Sequence, residues 1–509
     1  MPNSNGYSQE LRVAEVDLAA GKLIAIFHEK DARELGLFPM DRAQITNPSN
    51  KSSVNVVVDI TDSIVREDEV GLFKEVCTLL GVKKGDMITA RASAKPKSIE
   101  FIKKKMDGIK LFPEEIKQIV EDIASNSLSE IESAAFVSAV YMRGLDLDET
   151  VSMTKALIEN GKKIEFSKSI VVDKHSVGGT NGRATMVIVP IIAAAGYLMP
   201  KTSSRAITSS SGTADAMEVL ADVSLSLDRI REVVQKTNAC IVWGGAVELA
   251  PADDKIIKIE HPLSLDPEGQ VIASVMAKKA SVGAKFVVID IPVGSFVKIK
   301  SREVAEGMAL KFVEVGKKLG IKVEVLLTNG SEPSGRAFGP ALEAKYALQV
   351  LEGKFFDNLA QKSIELSGAL LELVGDVPKG KGFDKAYWLL KSGKALEKMK
   401  EIIRAQDGKI TSSEQITPAQ FKRQVFASQT GVISIINVGL LNKIARTAGA
   451  PANPKAGVML NVEPGSKASK GQLLYEIFAE NEEKLSAAYA IAMERQVVEF
   501  GKIIIEKFS

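Results

Sequence analysis

Three stretches of this chain concentrate residues whose types and spacing can do chemistry. The first is DKHSVGGTNGR (173–183), a glycine-rich turn between an apolar strand-like run and an apolar helix-like run. Glycines at such a junction permit a tight turn and let backbone N–H groups face an anion. Lys174 adds a charge and Ser176 a hydroxyl, and Thr185 falls in the first turn of the next helix. The order is not G-x-x-x-x-G-K followed by Ser or Thr, so a triphosphate loop is not supported. A plain tight connection stays open as the alternative. The second stretch, KTSSRAITSSSGTAD (201–215), packs one Lys, one Arg, five Ser and three Thr between an apolar strand and an amphipathic helix. Small hydroxyls at this density do not build an apolar core. They can donate to phosphate oxygens, with Lys201 and Arg205 supplying charge. A solvated Ser-rich loop is the competing reading. The third stretch, HPLSLDP (261–267), leads into VIASVMAKK (271–279). Ser274 and Lys278, four apart, share one helix face. Asp266 stands just before that helix, where a lone Asp reads more readily as an N-terminal cap than as a catalyst.

The elements that must position these stretches follow from periodicity. The first ~95 residues alternate apolar and polar in short runs (LRVAEVDL, KLIAIF, SVNVVVDI), which predicts strands. Residues 32–45 and 79–90 each read as a short helix, a Leu-Gly turn, an Asp and a strand-like run, so a pseudo-duplicated small barrel is expected. From about Ile99 to Asn160 apolar residues recur at three and four, and Ser-Leu-Ser-Glu (127–130) offers a helix cap. From about Phe166 strands alternate with helices. That predicts a mostly parallel sheet, helices on both faces, and ligands at the carboxyl ends of the strands. The last ~95 residues have the rhythm of a β-hammerhead such as a biotinyl or lipoyl carrier, but without a modifiable lysine at a hairpin tip. The expected fold class is a multidomain α/β protein. It comprises a β-barrel-like domain (1–95), a helical domain (96–165), an α/β domain with a mixed or parallel sheet (166–410) and a C-terminal α+β hammerhead-like domain (411–509).

Composition removes several function classes. The chain has 509 residues, 45% of them apolar, which suits several packed domains and excludes global disorder. Lys and Arg number 66 against 64 Asp and Glu, so no field over the whole molecule favours nucleic acid or an anionic membrane. Phosphate-binding charge must therefore be local. Cys77 and Cys240 form no CxxC pair, which predicts neither disulfides nor zinc and fits a reducing interior. The longest apolar run, Met186 to Met199, is interrupted by Pro190 and Gly196 and falls short of the ~20 residues of a membrane span. With a polar beginning to the chain, a cytoplasmic protein is expected.

The stretch SSRAITSSSGTADAME (203–218) resembles the signature of the thymidine and pyrimidine-nucleoside phosphorylases. DKHSVGG resembles their phosphate loop and IASVMAKK their base-site helix. The resemblance runs from about residue 96 to the C-terminus. The extra N-terminal domain, the SSRAITS loop and WGGAVELAPADD (243–254) make the chain most similar to the archaeal branch acting on nucleoside 5′-monophosphates, the AMP phosphorylases. It implies that Lys174, Ser176, Thr185, Lys201, Ser203 and Thr213 hold the attacking phosphate. It also implies that Gly178, Ser204, Arg205, Ala206, Ile207, Thr208, Ser209 and Thr213 contact the nucleotide, with Ser274 and Lys298 as further contacts. Lys278 matches a lysine that contacts the base. Asp266 matches the proton donor, and His175 joins it as a second catalytic position. The chain departs from the pyrimidine enzymes at Glu260-His261-Pro262, where they carry an Arg that reads the base. It also departs at Thr180-Asn181-Gly182 and at Ala216.

The implied reaction is AMP plus phosphate giving adenine and ribose 1,5-bisphosphate, with CMP and UMP as further candidate substrates. In it Lys174, Lys201 and Arg205 offset two phosphates. Asp266 acts as general acid in a desolvated site. No cofactor or metal is expected, phosphate being a substrate. The resemblance also implies that the helical region recurs at about 252–282, that the base is met from the helical side of a closing cleft, and that the chain forms a dimer through the helical domain. A larger assembly through the N-terminal domain is a further expectation. The alternatives are a thymidine or pyrimidine-nucleoside phosphorylase, a magnesium-dependent phosphoribosyltransferase, and a nucleotide sensor or carrier protein without turnover.

Overall fold

The computed structural model describes residues 7–19, 21–93, 95–166, 169–178, 183–263 and 265–501. The departure at Thr180-Asn181-Gly182 therefore lies outside the described residues, as do Gly179 and Ser264. The chain folds into two units, residues 1–160 with 251–270, and residues 161–250 with 271–509.

The first unit opens with a closed six-stranded barrel in the order β1-β5-β2-β4-β3-β6. Its strands are β1 (Gln9–Val16), β2 (Ile24–His28), β3 (Arg42–Thr46), β4 (Ser53–Thr61), β5 (Glu69–Phe73) and β6 (Met87–Ala92), with helices α1 (Glu29–Leu35) and α2 (Lys74–Leu80). The duplication read in the sequence is present bond for bond. Each helix ends on a left-handed glycine, Gly36 or Gly81. The Asp41 carboxylate then accepts from Phe38 N and the Asp86 carboxylate from Lys83 N, both at 2.9 Å. These carboxylates fix the turn that launches β3 and β6. Alternate residues such as Leu11, Phe27, Ile45, Leu72 and Ile88 fill the barrel.

Helices α3 (Ser98–Met106), α4 (Pro113–Ala124), α5 (Glu130–Arg143) and α6 (Leu147–Glu159) complete this unit together with the returning α10 (Pro251–Leu263). A fully buried ion pair, Lys105–Glu149 at 2.7 Å, pins α3 to α6, and the same carboxylate accepts from Leu111 N. Lys255 fixes α10 to the end of α4 through Ala124 O and Asn126 Oδ1, both at 2.6 Å. The cap of α5 differs from the sequence expectation. It is a box of Ser129 with Glu132, two residues on, because the Ser127 hydroxyl is engaged by Ser125 and Asn55. Barrel and helices meet through the Arg42–Glu132 ion pair and through Lys22–Glu130 at 2.7 Å.

The second unit carries the parallel strands β7 (Val172–Ser176), β8 (Met199–Ser203), β9 (Ala239–Trp243), β10 (Phe286–Val293) and β11 (Lys322–Asn329). They form a sheet β11-β10-β7 and a pair β8-β9, joined by a parallel bridge between Val171 and Leu198. Around them lie α7 (Ala184–Ala194), α8 (Thr213–Glu218), α9 (Leu227–Thr237), α11 (Glu268–Ser281), α12 (Arg302–Leu319), α13 (Pro340–Leu351), α14 (Asn358–Val374), α15 (Gly382–Lys391) and α16 (Lys394–Ala405). Helix α7 is buried from Ala184 to Ala193, the all-round apolar pattern of a central core helix. Helix α11 begins in the first unit and from Val271 belongs to the second.

The C-terminal part holds β12 (Ala337–Phe338), β13 (Phe421–Phe426), β14 (Gly431–Ile436), α17 (Val438–Thr447), β15 (Gly457–Leu460), β16 (Lys467–Ala468), β17 (Leu473–Ala479), α18 (Glu482–Glu494) and β18 (Val498–Phe500). One sheet runs β12-β15-β17-β13 and the other β16-β14-β18. The former borrows β12 from the middle of the α/β segment, through Ala337 opposite Met459. Among the described residues no helix is long and apolar enough to cross a membrane.

Candidate functional site

The site is built at the carboxyl end of β7. Successive residues of a strand point to opposite faces, so Asp173 and His175 share one face while Lys174 and Ser176 share the other. On the first face the buried Asp173 carboxylate accepts from Lys279 Nζ of α11 at 2.7 Å. It also lies 3.3 Å from Lys201 Nζ of β8, which in turn donates to Thr202 O. On the second face Ser176 is opposite Asp290 of β10. The Asp290 carboxylate accepts from Ser176 Oγ at 2.7 Å, Thr328 Oγ1 of β11 at 2.6 Å and Lys362 Nζ of α14 at 3.1 Å. Lys174 Nζ stands 3.7 Å away from it. Four lysines thus meet two carboxylates, leaving a surplus of two positive charges when all are ionised.

Burial of that surplus shows in the proton affinities. Desolvation, with Lys362 and Lys279 nearby, pulls Lys174 down to about 8 against the pull of Asp290. Desolvation and the adjacent Lys201 pull Lys279 down to about 7, with Asp173 opposing. Burial alone would raise the two carboxyls, but Lys201 and Lys279 hold Asp173 below its ordinary value, and Lys174 and Lys362 do the same for Asp290. Burial and the four cations Lys279, Lys201, Lys174 and Lys278 push His175 well below the ordinary imidazole range, so its ring is neutral at pH 7. A buried cationic surplus of two is the complement of a phosphate dianion.

The Ser-rich loop between β8 and α8 is organised differently from the expectation that Arg205 offsets phosphate. Its guanidinium donates to Glu218 at 2.6 Å, lies 3.3 Å from Asp215 and sits over the Trp243 ring at 4.9 Å. That cation is already matched by two carboxylates of helix α8. The Asp215 carboxylate also accepts from Ala206 N and Gly212 N, both at 2.7 Å, and so closes the base of the loop. The hydroxyls divide as well. Ser210 and Ser211 are fully buried and bonded within the unit, while Ser204 and Thr208 are exposed and Ser203 and Ser209 are half-buried. Thr213 opens α8, and Thr185, near the start of α7, is buried. Gly178 has φ +66°, and a Cβ there would stand 2.6 Å from Lys298 Cβ, so both conformation and space call for glycine.

On α11, Lys278 Nζ reaches Ser274 Oγ at 3.4 Å, as the spacing of four predicts. The lysine that enters the buried cluster is its neighbour, Lys279. Sequence reasoning missed Lys279, Asp173, Asp290, Thr328 and Lys362. A signal for Asp290 was available, a lone carboxylate inside the apolar run FVVIDIPV, and Asp173 ends a similar run. Lys362, on an ordinary helix, carries none. Asp266 and His261 belong to the first unit, and both are exposed. The desolvated setting expected for Asp266 is therefore not supplied by its own segment. Among the described residues no group of three or more His, Cys, Asp or Glu side chains is placed to hold a metal ion.

This architecture has known relatives. The helical bundle domain of a glycosyl transferase family matches residues 99–161, and the a/b domain of the same family matches residues 168–396. An AMP phosphorylase of Methanococcus maripaludis is 44% identical over 497 residues, covering 97% of this chain and 98% of its own. AMP phosphorylase 1 of Archaeoglobus fulgidus is 45% identical with the same coverage. The AMP phosphorylase of Methanocaldococcus jannaschii is 42% identical over 503 residues, 98% of this chain and 99% of its own. Among solved structures, anthranilate phosphoribosyltransferase from Thermus thermophilus superposes with a TM-score of 0.53 at 19% identity, over 60% of this chain and 99% of that one, a likeness of fold. With the bundle, the α/β domain and full-length relatives above 40% identity in agreement, the chain belongs to this glycosyl transferase family, in the branch whose curated members are called AMP phosphorylases.

Proposed function

We propose that the protein cleaves nucleoside 5′-monophosphates with inorganic phosphate, AMP giving adenine and ribose 1,5-bisphosphate. The observation that carries this reading is the buried cluster of four lysines on two aspartates, whose surplus charge suits a phosphate dianion. Phosphate held there by Lys174, Lys201 and Ser176 attacks the anomeric carbon of the sugar. The C–N bond to the base breaks, and its electron pair leaves with the base. The transition state is cation-like at the sugar, and the held dianion stabilises it while supplying the nucleophile. Asp266 gives a proton to the departing purine, which leaves neutral. Asp266 is itself exposed. Neutral His175 serves as a hydrogen-bonding group rather than a cation. The run Ser204–Ser209 receives the 5′-phosphate through backbone N–H groups and the hydroxyls of Ser204 and Thr208, with Arg205 holding the loop's shape. No step uses a cofactor or metal.

An assembly of copies accompanies this reading. Ile131 (68% exposed) and Met142 (64%) lie eleven residues apart on α5, about three turns, hence on one face. They support a dimer through the helical region. Phe38, Met40 and Ile64, exposed on the barrel, support a larger one.

The test is a product assay with AMP, CMP, UMP, adenosine and thymidine, each with phosphate. Adenine and ribose 1,5-bisphosphate should appear together from AMP, in step with phosphate consumed. Equal rates from adenosine or thymidine would remove the 5′-phosphate from the account and turn the reading to a nucleoside phosphorylase.

A further inference from the structure

The Ser-rich loop has a second support, from a part of the chain that no expectation connects with substrate. Its base is closed by Asp215, but its tip lies at the surface, with Ile207 44% exposed. Helix α17 of the C-terminal part stands behind that tip. Arg446 Nη1 donates to two loop carbonyls, Ile207 O and Ser209 O, both at 3.0 Å. One helical turn earlier, Asn442 Oδ1 accepts from Ser210 N at 3.0 Å and from Ser210 Oγ at 2.8 Å. The other end of that amide donates to Val438 O at 3.1 Å, which fixes the face it shows the loop.

The peptide joining Ser209 to Ser210 is therefore held at both ends, its carbonyl by Arg446 and its N–H by Asn442. The two groups point in opposite directions across a trans peptide, so its orientation is set. By the same geometry, directing the Ile207 carbonyl at Arg446 turns the Thr208 N–H to the opposite side. Thr208, Gly439, Asn442, Lys443, Arg446 and Thr447 line an open pocket of about 430 Å³, with two cations and no carboxylate.

We propose that Asn442 and Arg446 are positioning residues for the substrate's 5′-phosphate. They set the backbone of the Ser204–Ser209 run, so the C-terminal part governs the preference for nucleotide over nucleoside. This rests on the reading of that run given under Proposed function. Steady-state kinetics of the full-length protein tests it, with Arg446→Ala, Arg446→Lys and Asn442→Ala compared with the unsubstituted chain. Arg446→Ala should raise KM for AMP by about tenfold or more and lower the AMP-to-adenosine ratio of kcat/KM by a similar factor, with KM for phosphate nearly unchanged. Arg446→Lys, which keeps the charge and three donors on a side chain one bond shorter, should recover part of the loss. Asn442→Ala should shift the same two quantities in the same direction, and it carries the comparison if Arg446→Ala does not fold. An unchanged KM for AMP in folded Arg446→Ala overturns the proposal. So do AMP and phosphate KM values that rise together with a lower Tm, the pattern of a purely structural contact. Absence of AMP cleavage by the unsubstituted protein overturns the proposed function first and this inference with it.

Discussion

At the scale of single residues, the site is a balance between two buried carboxylates and the amines around them. Lys174 near 8 and Lys279 near 7 lie below the ordinary lysine value of 10.5, so the unfolded chain binds more protons than the folded one from about pH 7 to 10.5. These two groups therefore oppose folding at neutral pH, and their contribution to stability rises with pH through that window. Phosphate binding has the opposite sign, because it needs the ammonium forms that are lost as pH climbs past 7 and 8. KM for phosphate should rise steeply above pH 8, and binding at pH 8 should take up protons, read as a dependence of calorimetric heat on buffer ionisation enthalpy. Asp290→Asn leaves Lys174 and Lys362 without their shared counter-ion. By the usual effect of removing one partner from a buried ion pair it should lose about 3–5 kcal/mol of stability, checked by denaturant unfolding. The sequence exposed three members of this cluster. Lys174, Ser176 and Lys201 were legible because they stand in conspicuous glycine- or hydroxyl-rich stretches. The pairing of its charges was not, because Lys279 and Asp173 meet across 106 positions of chain, and only the fold brings α11 against β7.

At the scale of elements, the loops matter as objects with shape. The hydroxyls of the Ser-rich loop look alike in the sequence, yet Ser210 and Ser211 face inward and hold the loop while Ser204 and Thr208 face outward. Spacing carries no sign of that division, since it depends on Asp215 and α17. Gly212 is the tight point, because a Cβ there would stand 2.5 Å from Ser204 O and 2.7 Å from Ala206 N. Gly212→Ala should displace the Ser204–Ala206 backbone and reduce kcat/KM for AMP by up to ~10²-fold with little loss of overall fold, checked by kinetics alongside circular dichroism. The barrel, by contrast, was legible in advance, because its two halves repeat a helix, a glycine turn and a turn-fixing aspartate with the same bonds. The cap of α5 was misread by two residues, because Ser127 and Ser129 both suit a cap and neighbouring polar groups decide between them.

At the scale of the whole molecule, the lysine cluster belongs to the second unit and Asp266 to the first. Asp266→Asn should lower turnover by ~10²-fold or more with little change in KM for AMP, since it removes a proton transfer and not a binding contact. Near-normal turnover would return Asp266 to the role of helix cap. The surplus charge on β7 and β8 remains the feature on which everything else depends. Its most direct test is calorimetric titration of inorganic phosphate into the unsubstituted protein and into Lys174→Met and Lys201→Met at pH 7. Saturable binding to the former, at least about tenfold weaker in both variants, is the predicted result. Phosphate affinity that is unmoved by either substitution would contradict the account.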